Sequence, residues 1–140
     1  MILVDTSILI EYLKKSKGAA CDKMNYIIDN EIPYGICHYV YQELLQGAAD
    51  NREYNLLREY FSTLPFYDVR YGKKSFENAA LVYMNCRRKG ITIRSTIDLL
   101  IAEIAIENNL YLFHNDNDYT RIAEIYTNLK LLGVSNNFNF

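Results

Sequence analysis

The chain has 140 residues and a mass of 16.4 kDa, which fits one ordinary domain with a substantial core. Half of its residues are hydrophobic and 23% are charged, with no low-complexity tract or internal repeat, so the composition excludes a disordered chain or a solenoid. The net charge of −2 lacks the basic excess typical of nucleic-acid-binding proteins, and no segment is apolar over a length that would span a membrane.

The hydrophobic pattern predicts short apolar strands that alternate with longer helices. In the first half of the chain we predict a strand at 2–4, helices over about 6–15 and 20–30 separated by Gly18, a buried strand at 34–37, and a helix over 39–46. Such alternation is typical of an α/β fold in which helices flank a central, mostly parallel sheet.

The second half of the chain continues the same pattern. We predict a helix over 51–63, an extended segment at 66–69, a helix over 73–89 that ends at Gly90, a buried helix over 95–109, a strand at 111–113, a short helix over 119–125, a strand at 130–132 and a polar tail over 135–140. In the helix over 73–89, the apolar residues that share one face are Phe76, Ala80, Tyr83 and Met84. The segments 51–63 and 73–89 could form a helical hairpin over the sheet.

Acidic residues stand where predicted strands end. Asp5 follows the strand 2–4, and Asp116 follows the strand 111–113. Because ligands of parallel α/β sheets bind beyond the carboxyl ends of the strands, we expect these carboxylates to lie at a common edge. Two such acids repel each other and lose hydration, and either a bound cation or a raised pKa is the usual resolution. Carboxylate ligands without a nearby cysteine favour Mg²⁺.

Each acid also has an ordinary structural interpretation. Asp5 and Asp118 could cap helices, and Ser95-x-x-Asp98 resembles a capping box. Glu43, taken alone, is typical of a solvated helix residue. An ordinary capping pattern, however, does not place two aspartates at strand ends and two further acids on the bordering helices. The joint pattern therefore favours a metal-binding acidic pocket.

Four short motifs in this order and spacing resemble those of PIN-domain nucleases, and among them the VapC-type toxin ribonucleases of prokaryotic toxin–antitoxin pairs. The motifs that carry the resemblance are Val4-Asp5-Thr6-Ser7, Glu43-Leu44-Leu45-Gln46-Gly47, Asp98-Leu99-Leu100-Ile101-Ala102 and Asn115-Asp116-x-Asp118-Tyr119. The resemblance spans nearly the whole chain and implies a single PIN-like domain over residues 1–140.

The resemblance also implies which residues form the site. Asp5, Glu43, Asp98 and Asp116 would bind Mg²⁺, or Mn²⁺ in its place, and carry catalysis. Asp118 would be an accessory acid, and the Thr6 hydroxyl would support the quartet or be an ordinary first-turn residue. His114 stands where this family commonly has Thr or Ser, so it could contact phosphate, assist proton transfer, or be structural.

The resemblance implies an activity and partners as well. The protein would hydrolyse phosphodiester bonds in structured RNA, such as tRNA, through a metal-activated water that leaves a 5′-phosphate and a 3′-hydroxyl. It would form a homodimer and bind a VapB-like antitoxin whose C-terminal segment blocks the pocket. Single-stranded bases could stack on some of the thirteen tyrosines and six phenylalanines.

Two further function classes were weighed. A haloacid-dehalogenase-like phosphohydrolase would need an Asp-x-Asp start, but Asp5 is followed by Thr6 and Ser7, and a response-regulator receiver would need paired acids near the first strand and a late lysine. A non-catalytic PIN-like module that binds RNA or protein stays as the alternative, although such a module gains nothing from clustered, mutually repelling acids.

The cysteines and the first residues indicate the compartment. Cys21, Cys37 and Cys86 are widely spaced, without a Cys-x-x-Cys pair, which argues against a disulfide framework or structural zinc and fits a reducing cytoplasm. The apolar run 1–4 is interrupted by Asp5 and has no basic region before it, so it is a poor signal peptide. We therefore expect a cytoplasmic protein without a membrane anchor.

Overall fold

The computed structural model describes residues 1–15 and 17–134, and in this part of the chain twelve elements alternate much as the hydrophobic pattern predicts. The strands are β1 (Ile2–Val4), β2 (Tyr34–Cys37), β3 (Phe66–Tyr67), β4 (Tyr111–His114) and β5 (Lys130–Gly133). The helices are α1 (Thr6–Leu13), α2 (Ala19–Asp29), α3 (His38–Gln46), α4 (Asn51–Phe61), α5 (Lys73–Arg88), α6 (Thr96–Glu107) and α7 (Asn117–Ile125). The predicted tail over 135–140 lies outside the described residues.

All five strands run parallel, in the spatial order β3-β2-β1-β4-β5. The predicted α/β class with a parallel sheet flanked by helices is therefore confirmed. The chain moves from β1 towards one side through β2 and β3, and towards the other side through β4 and β5. The carboxyl ends of β1 and β4 thus meet at the point where the strand order reverses, which is where open α/β sheets bind ligands.

Burial explains why the strands are short apolar runs. Every residue of β1 is 0% exposed, because helices cover both faces of the central strands. Helix α6 has seven consecutive buried residues from Leu99 to Ala105, all of them apolar except Glu103. None of the helices within residues 1–15 and 17–134 is long and apolar enough to cross a membrane, and Cys21, Cys37 and Cys86 are all free.

Helix α5 departs from the sequence prediction in two respects. Its buried face consists of Ser75, Ala79, Val82 and Cys86, whereas Phe76 is 47% exposed on the stripe that the pattern favoured. In addition, α5 packs mainly on α6 and α4 packs mainly on α3, so the expected hairpin of these two helices is wrong. The predicted end at Gly90 is confirmed, because this residue adopts the positive φ of 79° that favours glycine.

Helix α6 carries two carboxyl groups that the sequence analysis did not single out. Glu103 is only 5% exposed, and Glu107 accepts hydrogen bonds through Oε1 from the Arg70 backbone N–H at 2.7 Å and from the Ser75 hydroxyl at 2.8 Å. The other oxygen, Oε2, is buried and has no hydrogen-bond partner of good geometry within the described residues. Burial, and then the hydrogen bond with Glu107 and its charge, raise the pKa of Glu103 to about 7, so the two carboxyl groups share a proton below that pH. This pair joins the C-terminal half of α6 to the loop before α5.

Candidate active site

Asp5 follows β1 directly and is buried, at 5% exposure. Its backbone N–H donates to the Phe113 carbonyl at 2.9 Å, which ties the end of β1 to β4. Its Oδ2 accepts hydrogen bonds from the Ser7 N–H at 3.1 Å and from the Ser7 hydroxyl at 2.6 Å, so Asp5 is the N-cap of α1. The capping interpretation of Asp5 is therefore confirmed, and it leaves Oδ1 for other partners.

Asp116 has the equivalent position after β4. It is the N-cap of α7, and its Oδ1 accepts a hydrogen bond from the Asp118 N–H at 2.9 Å. The predicted cap at Asp118 is therefore wrong by two residues. The Ser7 hydroxyl also accepts a hydrogen bond from the Asn115 N–H at 3.1 Å. Through Ser7, the segments that carry Asp5 and Asp116 are joined.

Tyr119 links two of the expected site acids. It is 0% exposed, and its hydroxyl lies 3.0 Å from Asp5 Oδ1 and 3.2 Å from Asp98 Oδ1. Because a phenol has one proton, it can donate fully to only one carboxylate at a time. Sequence reasoning missed this role, since Tyr119 was noted only as the last residue of the fourth motif and no role was assigned to its hydroxyl. The structure thus brings Asp5 and Asp98 to a shared hydroxyl.

The acids disturb one another's protonation. Burial, and then the charges of Asp5 and Asp116, raise the pKa of Asp98 to about 6, and the hydrogen bond from Tyr119 opposes the shift. Burial and the charge of Asp5 also raise the pKa of Glu43. Such shifts arise where carboxylates gather with too little water or positive charge to balance them. Asp98 lies in the first turn of α6, but Ser95 makes no side-chain cap, so the resemblance to a capping box is wrong.

Glu43 approaches the cluster from α3, on a side chain that is largely exposed. The Thr6 hydroxyl lies beside it and favours its ionised form. Thr6 Oγ1 is nevertheless buried and has no partner of good hydrogen-bonding geometry. A buried hydroxyl without a partner is costly, so this position has room for a further ligand. We call Asp5, Glu43, Asp98 and Asp116 the acid pocket.

His114 is a buried, neutral residue at the end of β4, with 5% exposure. Its Nδ1 accepts a hydrogen bond from the Asp116 N–H at 3.1 Å, which requires the tautomer with its proton on Nε2. Burial lowers the pKa of His114, although Asp5 and Asp116 oppose the shift. Its ring packs edge-on against Tyr119, with the centroids 5.3 Å apart. These contacts favour the structural interpretation of His114, in which it orients Asp116 and Tyr119.

A polar cavity of about 380 Å³ opens beside the acid pocket. It is lined by Arg94, Asp98, Asn115, Asp116, Asn117, Asp118 and Arg121. Asp118 is buried, and its oxygens lie near the Arg94 N–H, at 3.5 Å, and near the Arg121 guanidinium, at 3.7 Å. Asp118 is therefore engaged by these two residues.

The donor set of the acid pocket fits a hard divalent cation. The available atoms are carboxylate oxygens together with the unpartnered Thr6 hydroxyl, and Mg²⁺ or Mn²⁺ prefers such ligands. Within residues 1–15 and 17–134, no three His, Cys, Asp or Glu side chains form a ready-made chelating group. Tyr119 joins Asp5 and Asp98, Thr6 lies beside Glu43, and the charge of Asp116 acts on Asp98, so a cation among these acids would lower their mutual repulsion.

Comparisons with known proteins agree over most of the chain. The family model described as PIN domain matches residues 2–125. The chain is 34% identical over 131 residues to VapC ribonuclease Mb1587 of Mycobacterium bovis, covering 93% of this chain and 96% of that protein. Ribonuclease VapC11 of Mycobacterium tuberculosis shows the same identity and coverage.

A solved structure shows the same fold. The chain is similar to a chain in the crystal structure of VapBC2 from Rickettsia felis bound to a DNA fragment from their promoter. The TM-score is 0.71 at 24% sequence identity, and the match covers 95% of this chain and 98% of that one. Sequence and fold comparisons therefore both extend over nearly the full length of the matched chains.

Proposed function

The chain belongs to the PIN domain family, and from this membership and the gathered acids we propose that it is a divalent-metal-dependent endoribonuclease. We further propose that it is the toxin of a VapBC-type toxin–antitoxin pair, because its curated relatives are VapC ribonucleases that match over 93% of this chain. The proposed substrate is structured RNA, with tRNA as the first candidate.

One observation carries the proposal: Asp5 and Asp98, which are far apart in the sequence, share the buried hydroxyl of Tyr119. A fold gains no stability from placing two carboxylates around one proton donor, because their charges repel each other. The raised pKa of Asp98, about 6, reflects the burial and repulsion that this arrangement costs. Costly charge clusters of this kind mark functional sites more often than structural ones.

The acid pocket divides the chemical work among its residues. Asp5, Glu43, Asp98 and Asp116 would hold the cation, with Thr6 and Asp118 in accessory roles. When bound, Mg²⁺ or Mn²⁺ supplies Lewis-acid stabilisation of the scissile phosphate and lowers the pKa of water. Tyr119 keeps Asp5 and Asp98 at a fixed spacing, and His114 fixes the backbone of Asp116. Hydrolysis by water would leave a 5′-phosphate and a 3′-hydroxyl.

We propose a VapB-like antitoxin as the partner of this chain. The surface beside Glu43 supports this, since a cavity of about 340 Å³ there is lined in part by Ile10, Leu13, Leu44 and Leu57. Ile10 and Leu13 are 40% and 39% exposed. An apolar surface that adjoins the acid pocket suits a protein segment that covers both. We place the pair in the cytoplasm.

We also propose a homodimer, and α5 offers a surface for it. Phe76 is 47% exposed and Ala80 lies one turn further along the same face, next to the half-buried Tyr83 and Met84. If this stripe lies between two copies, the Phe76→Asp variant will have the mass of a monomer in light scattering while the parent has that of a dimer. Parent and variant of equal mass would contradict this use of α5.

The experiment that tests the function is cleavage of total tRNA by the purified, antitoxin-free protein, with Mg²⁺, with Mn²⁺, or with EDTA. The Asp98→Asn variant is compared with Asp68→Asn, which makes the same change at an exposed aspartate that follows β3 and pairs with His38. We expect metal-dependent fragments with 5′-phosphates from the parent and from Asp68→Asn, and none from Asp98→Asn. No cleavage of tRNA or ribosomal RNA by a folded parent would favour the non-catalytic binding module.

A further inference from the structure

Two arginines lie in the wall of the polar cavity, next to acids of the proposed metal site. Arg94 precedes α6 in the sequence, and Arg121 lies in the middle of α7. Both share the cavity with Asp98 and Asp116. The arginines could simply neutralise the carboxylates of the cavity. If they do not, they are available to bind a ligand.

The contacts argue against simple neutralisation. Within residues 1–15 and 17–134, the exposed Arg94 guanidinium makes no ion pair or hydrogen bond, since only its backbone N–H faces Asp118. Arg121 approaches Asp118 at 3.7 Å, beyond hydrogen-bond distance, and its side chain is 47% exposed. A guanidinium has five N–H donors in a planar fork, so nearly all of this donor capacity faces the cavity or solvent.

Asp118 connects the two arginines. Its side chain is 8% exposed, and one oxygen lies 3.5 Å from the Arg94 backbone nitrogen while the other lies 3.7 Å from Arg121 Nη1. It therefore joins the segment before α6 to α7. Asp118 therefore holds both arginines in the cavity wall beside the acid pocket. It leaves most of the N–H donors of their guanidinium groups free to bind a ligand.

We propose that Arg94 and Arg121, positioned by Asp118, bind a backbone phosphate of the RNA next to the phosphate that is cleaved. This inference rests on the proposed ribonuclease function and names the residues that would hold its substrate. Arginine forks bind phosphate oxygens in bidentate fashion, which makes them suitable for this contact. The arrangement also explains how a chain with a net charge of −2 can bind a polyanion, because the positive charge is local.

The lining of the cavity indicates backbone recognition. None of the seven lining residues is apolar or aromatic, so the cavity offers a base no aromatic ring on which to stack, and the guanidinium forks favour phosphate. Contacts with phosphate and ribose position an RNA without reading its sequence. Arg94 and Arg121 should therefore contribute affinity for any RNA, and the choice of target must come from other parts of the surface.

The test measures RNA binding without cleavage. A fluorescently labelled RNA stem-loop is titrated with the Asp98→Asn protein in Mg²⁺ buffer at several KCl concentrations. Arg94→Ala and Arg121→Ala are then added singly to this background. We expect each to weaken binding several-fold and to reduce the slope of log K against log salt by about 0.7–0.9, because one phosphate contact is lost. Arg121→Lys should keep the slope while losing part of the affinity, because the charge remains and the fork is gone.

Arg70→Ala is the matched control. Arg70 is also exposed, but it lies in the loop that contacts the opposite end of α6. It makes this contact through its backbone N–H, which donates a hydrogen bond to Glu107. Removing its side chain should leave the RNA affinity and the salt slope unchanged.

If the parent binds RNA but Arg94→Ala and Arg121→Ala leave the salt slope unchanged, the phosphate contact alone is overturned. A parent that binds no RNA would overturn the proposed function as well.

Asp118 has its own test, made with Mn²⁺ alone and with the RNA probe. In the protein with Asp98 intact, Asp118→Asn should weaken Mn²⁺ binding far less than Asp98→Asn does, because the Asp118 carboxylate is accessory to the acid pocket and faces the arginines. In the Asp98→Asn background, the same change should weaken RNA binding with little change of the salt slope, since both charges remain. The opposite pattern, Mn²⁺ binding weakened as much as by Asp98→Asn with unchanged RNA affinity, would overturn the positioning role of Asp118.

Discussion

Asp98 and Glu103 lie on the same helix, and burial is the main cause of a raised pKa in both, to about 6 for Asp98 and about 7 for Glu103. Their surroundings differ. Asp98 faces further acids from other elements beside a cavity. Glu103 faces Glu107, which also accepts hydrogen bonds from the Arg70 backbone and the Ser75 hydroxyl.

The difference shows when a raised pKa indicates function. Around Glu107, two neutral donors bind one carboxylate oxygen and the two glutamates share a proton, so the pair can stabilise the metal-free fold. Around Asp98, the single proton of the Tyr119 hydroxyl is shared between Asp5 and Asp98, and the charges of Asp5 and Asp116 add repulsion that no described cation balances. A shifted pKa alone does not separate these cases. The number of donors that the fold supplies, and the presence of an open cavity, do separate them.

The largest expected effect is the loss of catalysis on changing Asp98. We expect Asp98→Asn to reduce RNA cleavage on the order of 100-fold or more, because it removes a charge that would hold the cation. Glu103→Gln, a matched change on the same helix, should leave the cleavage rate within about twofold of the parent. Steady-state cleavage assays at saturating Mg²⁺ measure both. If both variants lose the same fraction of the cleavage rate, the proposed difference in function between Asp98 and Glu103 is wrong.

The next effect concerns stability at the other end of the helix. Glu107→Ala leaves the Arg70 N–H, the Ser75 hydroxyl and Glu103 without their partner, so we expect the free energy of unfolding to fall by about 2–3 kcal/mol. Glu59→Ala removes an exposed glutamate from α4 and should change this quantity by less than about 0.5 kcal/mol. Urea unfolding gives both values. A change as small as that of Glu59→Ala would show that the Glu103–Glu107 pair does not stabilise the fold.

The pH dependence of stability tests the shared proton directly. The pKa of Glu103 is about 7 in the folded protein against 4.5 in its ordinary state, so the folded state binds more protons between these values. The resulting stabilisation is fully present below about pH 4.5 and is lost as pH rises through about 7. Between pH 5 and pH 8, the free energy of unfolding of the parent should therefore fall by on the order of 2 kcal/mol more than that of Glu103→Gln.

Chemical unfolding at a series of pH values measures this difference. The shift of Asp98 acts in the same direction, but it is common to parent and variant and cancels from the comparison. Parallel stability curves for the two proteins would mean that Glu103 does not keep its proton in the folded state.

The smallest effect is expected for Tyr119→Phe. Removing the hydroxyl takes the only shared donor from Asp5 and Asp98, so the protein in EDTA should lose about 1–2 kcal/mol of stability at pH 7. Tyr54→Phe, at an exposed position of α4, is the control. Thermal unfolding in EDTA and with Mn²⁺ follows both variants. An unchanged or increased stability of Tyr119→Phe in EDTA would mean that the hydroxyl does not hold the two acids.

Much of the fold and the frame of the site could be predicted from the sequence. Strands β1 and β4 are apolar runs that end abruptly at or just before an acid, so parallel pairing alone brings Asp5 and Asp116 to one edge of the sheet. The predicted face of α5 was wrong for a physical reason: Phe76 and Met84 are more hydrophobic than Ser75, yet close packing on α6 favours the small side chains of Ser75 and Ala79.

The hydrogen-bond partners could not be predicted in this way. Glu103 interrupts an apolar run, and whether that acid is satisfied depends on Ser75 and Arg70, more than 25 residues earlier in the chain, acting through Glu107. Tyr119 fits the apolar pattern of α7, which gives no indication of where its hydroxyl points. Periodicity identifies the face that a residue occupies, but the partner of a buried polar atom depends on tertiary packing.

The most direct test of the central claim is calorimetric titration of the metal-free protein with Mn²⁺, made with the parent, Asp98→Asn and Glu103→Gln. The account predicts that the parent and Glu103→Gln bind Mn²⁺ with equal affinity, and that Asp98→Asn binds it at least about tenfold more weakly, since even outer-shell changes cost that much. If the parent binds no Mn²⁺, or if Asp98→Asn binds it as tightly as the parent, the acids around Tyr119 are not a metal site.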